Sequence, residues 1–154
     1  MSYFIGSMVP DEVRAFLSSN RPEIDDVRWT KPEKYHITFE YFPDLSNEMF
    51  KAAHRTVQAL SKYFPLKCEL NHFSGFPSHR KARVIIALIS LDNSGIQIVC
   101  ENKRFNPHVT VGYARNPPVF VPQNALKLSF SFARPALYRS EKGIYTEIET
   151  VGTR

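Results

Sequence analysis

The chain has 154 residues, 43% of them apolar and 23% charged, with a formal net charge of +5. Those proportions exclude a disordered chain. No apolar run approaches the ~18 residues that a membrane-spanning helix requires, and no basic segment precedes a signal-type apolar stretch at the start. The length fits one domain covering residues 1–154, able to bury about 68–70% of the surface its unfolded chain exposes. The basic balance suits a polyanion or a phosphate-bearing substrate as well as it suits plain solubility. Two cysteines, Cys68 and Cys100, with no Cys-x-x-Cys spacing, read as free buried thiols in a reducing, cytoplasmic setting.

Residues 3–8 read as a first strand. Pro10 and Asp11 open a helix whose buried stripe is Val13, Phe16 and Leu17. Val27 to Thr30 is a short strand ended by Pro32, and His36 to Phe42 is a longer one. Ser46 is a good N-cap for the strongest helix of the sequence, in which Met49, Phe50, Ala53, Val57 and Leu60 recur at helical spacing to about Tyr63. His54 and Arg55 fall off or beside that stripe and read as solvated. Beyond Leu66 the reading is mostly β. Leu66–Phe73 and the nearly continuous apolar run Arg83–Leu91 are strands. Asn93-Ser94-Gly95 is a turn, and Ile96-Gln97-Ile98-Val99 reads as strand. Asn106–Ala114 is a further strand and 116–122 a proline-flanked loop. Leu126, Leu128, Phe130 and Phe132 alternate with polar residues. A hairpin turning at Lys142-Gly143, with Ile144 to Val151 as its second arm, closes the chain.

One pattern stands out from this survey. His36-Ile37-Thr38-Phe39 and His108-Val109-Thr110-Val111 both read histidine, apolar, threonine, apolar. On a strand, side chains at i and i+2 share a face, so each copy presents an imidazole and a hydroxyl together. Two such strands facing one another would line a cleft with two titratable rings and two hydroxyl donors. Hydrolysis of a phosphate ester needs attacking water deprotonated, the leaving oxygen protonated and the nonbridging oxygens stabilised. In-line attack requires the two proton carriers on opposite sides of phosphorus. Histidine, with an ordinary pKa of ~6.5, serves either role at neutral pH.

With these motifs on the page, the chain resembles the 2H phosphoesterase superfamily, and within it the RNA 2′,3′-cyclic phosphodiesterase (LigT-like) family. The resemblance extends to Phe4-Ile5-Gly6 with Val9 to Val13, and to Val27 through His36. It continues in Phe76-Pro77 with Ala82-Arg83-Val84, in Phe105-Asn106-Pro107 before the second motif, and in Leu137 to Ser140 before Gly143-Ile144-Tyr145. It implies an α+β fold: two lobes with antiparallel sheets flanking a central cleft, helices mainly on the N-terminal lobe. The family's helix before the second motif has only Asp92–Arg104 to occupy here, which implies a trimmed second lobe. The family's arginine five residues beyond the second histidine is replaced by Tyr113, with Arg115 two further on. In a continuing strand those two positions share a face.

The resemblance further implies metal-independent opening of 2′,3′-cyclic phosphates on RNA ends or nucleotides, leaving a 2′-phosphate. His36 is then the acid, His108 the base, Thr38 and Thr110 donors to the phosphate, and Arg115 or Tyr113 a further substrate contact. A 2′-5′ oligonucleotide, a cyclic phosphate of ADP-ribose, or RNA binding without turnover are the alternative readings. No cofactor, metal or membrane is expected, and a monomer is. Cys68 and His72, four apart on a strand, share a face but offer too few ligands for zinc.

Overall fold

The computed structural model describes residues 1–100 and 105–148. The described residues form two antiparallel sheets and three α-helices. In the first sheet, β1 (Ser2–Met8) is flanked by β3 (His36–Phe42) and β8 (Ala136–Glu141), with β9 (Ile144–Glu147) outside β8. The second has the order β2 (Val27–Trp29), β6 (His108–Ala114), β5 (Ala82–Leu91), β4 (Leu66–Pro77), β7 (Ala125–Phe132). The predicted end of the closing strand, from 149 onward, lies outside the described residues.

The two sheets are not the two halves of the sequence. β2, from the first half, pairs with β6, while β8 returns from the far end of the chain to lie beside β1. One continuous hydrophobic core serves both sheets, with Ile5, Ile37 and Phe39 from the first and Leu70, Ile85 and Val109 from the second. Each such fully buried side chain contributes about 1.5–3 kcal/mol relative to remaining exposed.

α1 (Asp11–Ser19) buries Val13 and Leu17 and begins with two acidic residues, favourable at a helix N-terminus. α2 (Asn47–Ser61) is capped as expected, the Ser46 hydroxyl accepting from the Met49 amide at 3.3 Å. It packs against β8. His54 is half-buried rather than solvated: its ring stands edge-on to Phe50 at 4.3 Å.

The segment after β5 differs from the sequence reading. Ser94–Cys100 is a helix, α3, packed on α2 and β3. Asn93-Ser94-Gly95, read as a turn, is its beginning, and the Asp92 carboxylate accepts from the Ser94 amide and hydroxyl there. Gly95 lies under the Tyr63 ring, from which a Cβ there would stand only 2.4 Å. Ile96, Val99 and Cys100 reach the core while Ile98 is exposed, a helical and not an alternating pattern. So the helix expected to be missing is present in short form, lying over the first sheet. In β4 a bulge between Leu70 and Phe73 breaks the face that Cys68 and His72 would share. Cys68 is buried, whereas His72 meets Gln123 at the surface. Both cysteines are free, and burial pushes both thiols up to about 12.

Candidate active site

β3 is the edge strand of its sheet, and it lies against β6 of the other. The two motifs therefore meet, and His108 is close enough to His36 for its charge to oppose protonation of that ring. The same local device holds both imidazoles. His36 Nδ1 donates to the Lys34 carbonyl at 2.7 Å, and His108 Nδ1 donates to the Asn106 carbonyl at 2.7 Å. A carbonyl oxygen only accepts, so the proton sits on Nδ1 and the Nε2 lone pair of each neutral ring is left for other chemistry.

The backbone repeats itself beyond the histidines. Opposite Ile5 and Gly6 stand Glu40 and Thr38, so Phe39 is an extra, bulged residue. Opposite Ile85 and Ile86 stand Gly112 and Thr110, so Val111 is bulged in the same way. Each bulge follows the motif threonine and reverses the alternation after it. As a result Tyr41 and Tyr113, each five residues beyond its histidine, line the same cavity as the threonines instead of pointing into the core. Close approach at the first bulge demands glycine: a Cβ on Gly6 would lie 2.2 Å from the Ile37 carbonyl. The repeat is thus six residues long, His-Ile-Thr-Phe-Glu-Tyr and His-Val-Thr-Val-Gly-Tyr.

Between the sheets is a cavity of about 630 Å³ walled by His36, Thr38, Thr110, Tyr41 and Tyr113. Arg28, Lys31, Lys34 and Lys142 also line it, with no carboxylate among the lining residues. Of the sequence-predicted residues, His108 is not part of this wall; its ring stands edge-on to Phe76 at 4.8 Å. Arg115 is not brought there either. β6 ends at Ala114, one residue short of it, and Arg115 is held through its amide to the Asp26 carbonyl without lining the cavity. The guanidinium near Tyr113 is that of Arg28, 4.8 Å above its ring.

Burial pushes the His36 imidazole below its ordinary value; the Lys34 carbonyl partly restores it, and the charges of His108 and Lys34 lower it further. Phe4 stacks on His36 at 4.5 Å and Tyr145 meets it edge-on at 5.2 Å. Burial lowers His108 too, with the Asn106 carbonyl opposing. Among the described residues no group of three or more His, Cys, Asp or Glu side chains is arranged to hold a metal ion, and no helix is long and apolar enough to cross a membrane.

Comparison with known proteins gives a consistent picture. The sequence model of the LigT-like phosphoesterases matches residues 8–86, just over half of the chain. TT0787 of Thermus thermophilus is similar in structure with a TM-score of 0.81 at 24% identity, covering 97% of this chain and 96% of that one. E. coli LigT in complex with NADP+ gives a TM-score of 0.70 at 18% identity over 96% and 95% of the two chains. The same protein in complex with 3′-AMP gives 0.67 at 15% identity over 96% and 95%. At those identities the likeness is one of fold. No curated protein sequence matches the chain.

Proposed function

The chain belongs to the LigT-like phosphoesterase family, and from that premise we propose that it hydrolyses 2′,3′-cyclic phosphates on RNA ends or nucleotides to 2′-phosphates, without a metal, by a pair of histidines. The family supports phosphoesterase activity. The cyclic-phosphate substrate is supported chiefly by one observation: two imidazoles on facing strands, each with Nδ1 tied to a carbonyl, His36 lining a cationic cleft with both motif threonines and His108 close enough for its charge to be felt there.

In this reading the Nε2 lone pair of His108 takes a proton from water as it attacks phosphorus. The protonated Nε2 of His36 gives its proton to the departing 3′ oxygen, and the phosphate stays on the 2′ oxygen. The family resemblance assigns the acid and base roles. Thr38 and Thr110 donate to the nonbridging oxygens, where charge builds in the transition state. Bound substrate brings a negative charge between the rings, raising both pKa values and offsetting the lowering by burial. Tyr41 and Tyr113 offer ring faces to a nucleobase, as aromatic side chains do for unpaired RNA bases, and Arg28 braces Tyr113. Arg115 has no phosphate contact in this mechanism. The nucleotide complex of E. coli LigT supports a nucleotide or RNA ligand for the shared fold.

The test is turnover of a nucleoside 2′,3′-cyclic phosphate in EDTA, with the product identified by 31P NMR. The expected product is the 2′-phosphate alone. Activity abolished by EDTA would overturn the metal-free step, and cleavage of 2′-5′-linked dinucleotides only would move the substrate to that class.

A further inference from the structure

A cyclic phosphate diester carries one negative charge, yet four cationic side chains line the cavity and no carboxylate does. The ion pairs among the described residues, Arg14–Asp11 and Arg134–Glu147, involve none of these four. Arg28 is committed to the Tyr113 ring. Lys34 and Lys142 both line the cavity near the turn of the β8–β9 hairpin. The Lys34 ammonium lies 4.8 Å from the centre of the Tyr145 ring, and a Cβ on Gly143 would be 3.7 Å from it. Lys142 is the other residue of that two-residue turn, held in the left-handed region at φ 51 ahead of Gly143 at φ 78. Such turns favour Asn, Asp or Gly at that place, so a lysine there is a costly choice. Cationic side chains lining one cavity with no carboxylate among its lining residues repel each other unless an anion sits with them.

Tyr145 connects this part of the cavity to the reacting centre. Its ring meets His36 on its edge-on side and carries Lys34 over its face. An anion at Lys34 and Lys142 is therefore next to the phosphate at His36, one ring away. The 2′ and 3′ oxygens of a terminal ribose are both taken up by the cyclic phosphate, so any further phosphate reaches the cleft through the 5′ oxygen.

We propose that Lys34 and Lys142 form a second phosphate subsite, which receives the phosphate ester on the 5′ side of the terminal nucleotide. The preferred substrate is then one with a 5′-linked phosphate, not a bare cyclic nucleoside phosphate. This rests on the proposed function for the identity of the first phosphate. The chemistry is shared by an internucleotide diester and by a 5′-monophosphate.

Calorimetric binding of three product-like ligands separates these cases: adenosine 2′-phosphate, adenosine 2′,5′-bisphosphate, and an adenylyl dinucleotide ending in a 2′-phosphate. Each is measured at low and moderate salt with the wild type, Lys34→Gln, Lys142→Gln and Lys142→Arg. The expected result is tighter binding of the ligands with a second phosphate, with a steeper dependence on salt. Either glutamine variant should lower that advantage about three- to ten-fold, and Lys142→Arg should keep most of it. A gain for the dinucleotide alone assigns the internucleotide diester; a gain for both assigns any 5′ phosphate. Equal affinities and slopes for the three ligands would overturn the subsite, as would an advantage unchanged in both glutamine variants. Binding reads the subsite without turnover, so absence of cyclic-phosphate hydrolysis beside the expected binding pattern would sink the proposed function alone.

Discussion

The two motif strands share a backbone and differ in their surroundings. β3 and β6 tie Nδ1 to the carbonyl two residues back, bulge directly after the threonine, and bring a tyrosine into the cleft. Around the rings the likeness ends. His36 has Phe4 stacked on one face, Tyr145 at its side and the Lys34 ammonium nearby, whereas His108 has the edge of Phe76. Position is thus set by a duplicated main-chain device, while proton affinity is set separately on each side. In the proposed mechanism that separation would let a near-symmetric pair carry out opposite proton transfers.

The sharpest way to break the pairing is to remove one member. His36→Ala and His108→Ala should each lower kcat on a cyclic phosphate by ~10²–10⁴-fold, with the double variant falling little further; a loss in only one of them would end the shared mechanism. Thr38→Val and Thr110→Val remove the second element common to both strands. Each should cost about 10²-fold in kcat with a smaller change in KM, since the donors act mostly as charge develops.

The parts of this arrangement that follow from short-range rules could be read from the residues. Alternation in His36–Phe42 and in the second motif, helical spacing in Asn47–Ser61 and the Ser46 cap are local signals, and each marks its element. α3 misleads because Ile96, Ile98 and Val99 are β-branched and the helix is only seven residues long; its stabilisation comes from Tyr63 and β3, which are remote in sequence. The bulges are likewise products of pairing, since Phe39 and Val111 become extra residues only against Ile5–Gly6 and Ile85–Ile86. Strict alternation would have turned Tyr41 and Tyr113 toward the core. The repeated tyrosine was nonetheless visible as a sixth matching position. The β8–β9 turn is legible at Lys142-Gly143, but the pairing of β8 with β1, which brings Lys142 to the cavity that Lys34 lines, is announced by no local pattern.

Two smaller effects test how alike the sides are. Tyr41→Ala and Tyr113→Ala should each raise KM about ten-fold if both rings carry base stacking; a change in one alone would assign the base to that lip. Phe4→Leu opens the stack on His36, so its depressed pKa should rise toward the ordinary value while His108 stays in place, as followed by NMR titration of the imidazole protons. In the wild type both rings protonate less readily folded than unfolded. Their contribution to stability is therefore complete above ~6.5 and is lost as pH falls through the depressed values. Tm should decline over that acid range, and less steeply in Phe4→Leu once its own lower baseline is subtracted.

The central position of β1 between β3 and β8 has an outcome for the newborn protein. As the ribosome delivers the chain, β1 can find β3 early, but its other edge waits until β8 has emerged. A stalled or clipped product lacking β8 and β9 would expose that edge to neighbouring chains. Completion of the first sheet therefore waits on β8, whatever has formed before it.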